Sequence, residues 1–234
     1  MSVAVPDPAR VLPATGWVMP GTRNTGLLAL GGIALAALLT VIGHLEVDHL
    51  DPWTLTISDF AVSDRGGVID AAMVVLALAS VALLYGLRRT GPPRPRTRAG
   101  RATDLLLVAW VAGLLLAAVV PTNDPGTAMT TAAYLHRYAS VVAFLALPAA
   151  GWLLARRPDV APAAGVIRAL VALSLTLAAA MIWSAYPGDR VLLGLIERLL
   201  ILTEVAVLAT LAVLQTRPLV DHGVVVPRKR GVPA

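Results

Sequence analysis

Eight residues in three separate stretches carry most of the chemistry open to this chain. They are Ser58 and Asp59, then Asp124, His136 and Arg137, then Glu197, Arg198 and Glu204. An imidazole and carboxylates can hold or move protons, and guanidinium groups can fix anions. Glu197 and Glu204 are seven positions apart, which places both on nearly one face of a helix. Arg137 and Arg198 interrupt the charge pattern of the loops, so each is expected to meet an acidic partner or an anion. Asp59, Asp124 and Glu197 are the carboxylates at hand. Glu204 lies deeper in an apolar run, where a carboxylate is costly unless protonated, paired or facing water. Ser174, Thr176 and Ser184 are its expected hydrogen-bond partners if its role is structural.

A metal is the weaker option. His44, His49 and His136 are the candidate ligands, and a three-ligand site with an open position would suit an intramembrane hydrolase. However, His44 and His49 are five apart rather than four, and neither His-x-x-x-His nor His-Glu-x-x-His occurs. Gly-x-Ser-x-Gly, Walker A and dinucleotide fingerprints are missing, so no cofactor is implied. Cysteine is absent, which excludes disulfides and thiolate chemistry. No residue can be named catalytic on these grounds.

The elements that must position these side chains are apolar spans at 25–45, 68–87, 102–120, 132–154, 167–186 and 191–214. Each is long enough to cross about 30 Å of hydrocarbon at about 1.5 Å per residue, and backbone in lipid must satisfy itself internally. The composition agrees: 57% of residues are hydrophobic and 14% charged. The expectation is an all-α bundle of six transmembrane helices over residues 25–215, flanked by tails at 1–24 and 216–234. The first span is longer than a signal-peptide core of about 7–15 residues and no small-x-small cleavage site follows it, so it is read as uncleaved.

Fifteen of the nineteen basic residues fall before span one, after spans two and four, or after span six. That alternation is the positive-inside pattern and predicts a multi-pass protein of the cell membrane with both termini cytoplasmic. The net charge of +5 is accordingly assigned to anionic lipid headgroups as partners, not to nucleic acid. Arg65, Arg137, Arg190 and Arg198 are the exceptions, and they mark the outer face. On that face, Trp53-Thr-Leu-Thr-Ile-Ser-Asp-Phe is expected to lie as a short helix or extended cap over the bundle mouth, with Ser58-Asp59 as its cap.

Three motifs on this face carry a resemblance. Thr56-Ile57-Ser58-Asp59 precedes a span ending Gly86-Leu87-Arg88-Arg89; Val120-Pro-Thr-Asn-Asp-Pro-Gly126 precedes Leu135-His136; and Ile196-Glu197-Arg198-Leu199-Leu200 opens the last span. Together they resemble the bacterial and archaeal six-span membrane family catalogued as domain of unknown function 998. That resemblance implies no activity, but it points to Ser58, Asp59, Asp124, His136, Glu197 and Arg198. The functional expectation is an outward-facing polar pocket lined by Asp59, His136, Arg137, Glu197 and Arg198, with Glu204 below, binding a small or lipidic ligand. The competing classes are an intramembrane enzyme (a metal-assisted lipid hydrolase, or a cyclase using a buried carboxylic acid) and a structural membrane subunit. Oligomeric state is not legible.

Overall fold

The computed structural model describes residues 11–12, 22–47, 50–62, 67–89, 97–124, 126–217 and 224–225. Six helices within it are long and apolar enough to cross a membrane. In chain order they are α1 (Thr22–Leu45), α3 (Gly67–Arg89), α4 (Arg98–Val119), α5 (Thr131–Leu154), α6 (Ala164–Ala185) and α7 (Leu193–Thr216). A one-turn helix, α2 (Ile57–Ala61), lies between the first two, and a 3-10 turn, Pro158–Ala163, leads into α6. Two-residue strands at Val11–Leu12 and Val224–Val225 pair antiparallel. The all-α multi-pass architecture is therefore as the hydropathy demands. His49, Arg65 and most of both tails lie outside the described residues.

The starts of α4 and α5 are set by side-chain capping. Thr97 Oγ1 accepts from the Gly100 amide at 3.1 Å, and Thr130 Oγ1 accepts from the Ala133 amide at 3.2 Å. Each satisfies a backbone donor that the first turn leaves orphaned. For this reason α4 begins at Arg98, before the apolar run at 102.

The spans form a closed ring: α1 on α3, α3 on α4, α4 on α5, α5 on α6, α6 on α7, and α7 back on α1. Small residues allow the close approaches; a Cβ at Gly113 would sit 2.7 Å from the Ala139 carbonyl oxygen. At the end bearing the 3-10 turn the ring is solid. There Leu154, Val160, Ile167, Val171, Val207 and Leu211 are buried in one cluster. Gln215 also ties three helices at this end, donating to the Leu83 carbonyl at 2.9 Å and accepting from Thr25 Oγ1 at 3.0 Å. The outward faces carry exposed Leu28, Leu105 and Ile182, an apolar exterior suited to lipid. The opposite end of the ring is hollow, and α2 lies across it.

Candidate functional site: a capped cavity at one end of the ring

Residues 50–62 form the cap, and local hydrogen bonds shape it. Asp51 Oδ1 accepts from the Trp53 amide at 3.1 Å, and Oδ2 accepts from Thr54 Oγ1 at 2.6 Å. These bonds hold the Asp51 carboxyl below the usual aspartate range. Thr56, not Ser58, caps α2. Its Oγ1 accepts from the Asp59 amide while Asp59 Oδ2 accepts from the Thr56 amide at 2.7 Å, a reciprocal capping box. Underneath, Phe60 packs with Val47 and Ile69 in a small apolar cluster.

Arg198 anchors this cap to the bundle. Its Nη1 donates to the carbonyls of Pro52 and Leu55, both at 2.8 Å, and of Gly194 at 2.9 Å. Its Nη2 lies 2.7 Å from His44 Nε2, and its guanidinium sits 5.1 Å over the Phe60 ring. His44 Nδ1 is 2.7 Å from the Thr40 carbonyl, which can only accept. Nδ1 therefore carries the proton, and Nε2 offers Arg198 a lone pair. His44 also stacks on Phe60 with centroids 4.6 Å apart.

Arg198 thus spends its hydrogen bonds on loop carbonyls and His44, and none goes to a carboxylate among the described residues. A planar five-donor fork suits a cluster of loop carbonyls as well as it suits an acid.

The remaining contacts come from the start of α7. Glu197 Oε2 accepts from the Ile57 amide at 2.5 Å, which satisfies an orphan donor of α2. The Leu195 amide donates to the Trp53 carbonyl at 3.2 Å. Gly194 is where backbone meets backbone: a Cβ there would overlap the Leu55 carbonyl oxygen. The turn leading into α7 holds Asp189, Arg190 and Leu192 at φ of 48°, 61° and 55°, a left-handed region that side chains disfavour. Arg190 in this turn reaches Asp59 Oδ2 at 3.1 Å, so the strained turn and the cap are joined by an ion pair.

Below the cap lies a cavity of about 440 Å3. Ala36, Ile69, Ala72, Trp110, Leu114, Ala117, Ala143 and Phe144 line its apolar walls. Ser58, His44, His136, Ser140, Glu197 and Arg198 supply its polar end. Val41, Leu45 and Leu202 line it and are also exposed, so the cavity is open rather than sealed. His136 Nδ1 donates to the Val120 carbonyl at 2.8 Å, which fixes the ring and leaves the Nε2 edge to the cavity.

Of the expected polar set, Ser58, His136, Glu197 and Arg198 converge on the cavity, and four members do not line it. Asp59 is spent on the capping box and Arg190. Arg137 is exposed, because one residue beyond His136 is a rotation of about 100° around α5. Asp124 is exposed in the loop before α5, and its main-chain carbonyl holds Thr127 and Asn123.

Glu204 is wholly buried in α7, and neither carboxyl oxygen has a hydrogen-bond partner among the described residues. The hydroxyls expected to reach it are engaged elsewhere. Ser174 pairs with Thr203 at 2.8 Å, Ser184 donates to the Val191 carbonyl, and Thr176 donates to the Ala172 carbonyl.

His44 as cap anchor, Ser140 and Gly194 were not singled out for these positions from sequence. The only available signals were the placement of His44 at a helix end facing the cap and the i+4 relation of Ser140 to His136. Among the described residues, no group of three His, Asp or Glu side chains is arranged to hold a metal.

No curated protein and no solved structure matches this chain. Residues 13–214 match the model of a family described only as a protein of unknown function, which spans both the six membrane-crossing helices and the cap. The chain is therefore a six-span membrane protein of the DUF998 family.

Proposed function

We propose that this protein lies in the cell membrane with both termini cytoplasmic and binds an amphiphilic, lipidic ligand in the capped cavity, on the outer side. The orientation rests on the arginines. Arg88, Arg89, Arg98, Arg101, Arg156, Arg157 and Arg168 all border the loops at the solid end of the ring.

The observation that carries the ligand reading is the cavity itself: about 440 Å3, apolar along its walls and polar at one end. Ligand sites in general have volumes of about 300–1,000 Å3, mostly apolar linings and a few convergent polar groups. Binding is favoured over catalysis on the state of three reactive groups. His44 and Arg198 hold the cap, and Glu204 does not line the cavity.

Trp110 lines the cavity and supplies the test. In a variant whose other tryptophans are changed to phenylalanine, a brominated single-chain lipid added to nanodiscs should quench Trp110 saturably. Ala117→Phe, which fills the cavity, should abolish that saturation. Linear quenching of equal slope in both proteins would overturn the proposal.

A further inference from the structure

The polar end of the cavity offers acceptors, and this selects among amphiphiles. We infer that the bound molecule carries a neutral hydroxyl head, as in a long-chain or prenyl alcohol, rather than a phosphate or carboxylate. The inference rests on the cavity-binding reading above.

Two lone-pair groups are available there. With Nδ1 of His136 donating to Val120, Nε2 is the ring nitrogen left to the cavity edge, and it accepts when the imidazole is neutral. Ser140 Oγ donates its hydrogen to the His136 carbonyl at 3.0 Å, which leaves its lone pairs free. Glu197 Oε2 is already taken by the Ile57 amide.

The cation that should attract an anionic head is already committed. Arg198 directs Nη1 and Nη2 at four acceptors. Only its Nε–H and one Nη2 hydrogen remain. Arg137, the other candidate anion ligand, faces away.

An anionic head would therefore set its own lone pairs against His136 Nε2 and Ser140 Oγ. An ammonium head would satisfy those acceptors but would lie beside the Arg198 guanidinium. A hydroxyl donates once, to His136 Nε2 or Ser140 Oγ, and accepts once, from a remaining Arg198 hydrogen. It meets both demands without bringing a charge into an apolar enclosure.

The experiment uses the full chain in nanodiscs with three probes of one chain length: dibrominated octadecanol, octadecanoic acid and octadecylamine. Trp110 quenching reports occupancy. The alcohol should bind about tenfold tighter than the acid at neutral pH, the ratio expected from one hydrogen bond gained rather than opposed. His136→Phe should bring the alcohol close to the acid while chain binding persists. Should that variant fail to fold for loss of the Val120 bond, Ser140→Ala keeps that bond and should weaken the alcohol alone by a few fold. Acid or amine binding as tightly as the alcohol overturns the head-group inference and leaves cavity binding standing. Absence of saturable quenching by all three probes overturns the cavity reading itself.

Discussion

Glu204 offers a test whose sign is opposite to ordinary intuition about buried charge. Its side chain is fully buried, both oxygens lack partners among the described residues, and its neighbours one turn away, Leu200, Val207 and Leu208, are buried and apolar. An unsatisfied buried polar group costs about 1–3 kcal/mol of desolvation that no bond returns. Glu204→Met keeps an unbranched side chain of similar length and adapts to irregular space. The substitution should therefore stabilise the fold by about 1–3 kcal/mol, roughly five- to hundredfold in the ratio of folded to unfolded protein. Reversible SDS titration in mixed micelles measures this. Leu208→Ala, four residues along the same helix, is the control of opposite sign: it leaves a void, which costs about 2–5 kcal/mol. Glu204→Gln keeps polar atoms unpaired and should gain less than the methionine. If Glu204→Met lowers stability by about 1 kcal/mol or more, Glu204 has a favourable partner in the folded protein, and the reasoning from its missing hydrogen bonds fails.

Gly194→Ala should lift the cap, since the added Cβ overlaps the Leu55 carbonyl and lies 2.5 Å from that of Pro52, backbone that no rotamer can move. The chain has no cysteine, so Ser58→Cys provides a unique reporter; its labelling by an impermeant maleimide should accelerate in the Gly194→Ala background, and an unchanged rate would refute the close approach. Asp51 should titrate below the ordinary aspartate value of about 3.9, because the Thr54 hydroxyl and Trp53 amide favour its charged form. A depressed folded value contributes stability above the unfolded value and loses it only as pH falls through the folded one, so the Asp51 turn should persist from neutral pH down to about 4. Carbon NMR of labelled aspartate reads this directly; titration at or above the ordinary value, or no upward move in Thr54→Ala, would count against it.

Much of the candidate site was legible because polar residues are conspicuous in an apolar chain. His136, Glu197, Arg198 and Ser58 stood out on that ground alone. The seven-residue spacing of Glu197 and Glu204 predicted nearly one helix face; both are buried in α7, but only Glu197 lines the cavity. Sequence placed α2 correctly as a short cap and Asp59 in its capping, but it joined Asp59 with Ser58 where the structure uses Thr56. Choosing between Thr56 and Ser58 depends on where the first helical amide falls. Arg137 was misassigned because adjacency in sequence is not adjacency on a helix. Arg198 was expected to meet an acid or an anion, whereas carbonyls from two parts of the chain, the cap at Pro52 and Leu55 and the first turn of α7 at Gly194, converge on it.

The sequence by itself determined that six helices cross a membrane and roughly where each begins and ends. Burial in lipid leaves the backbone no other way to satisfy its hydrogen bonds, and that demand is written in composition. It also determined which end of the ring would be rich in arginine and which would gather carboxylates and histidines. Only the tertiary structure decided that the second end is hollow, that Arg198 serves the cap, and that Glu204 stands without a partner. Those facts depend on the rotation of each helix about its axis and on loop carbonyls brought together from distant positions. Neither leaves a mark in the order of side chains along the chain.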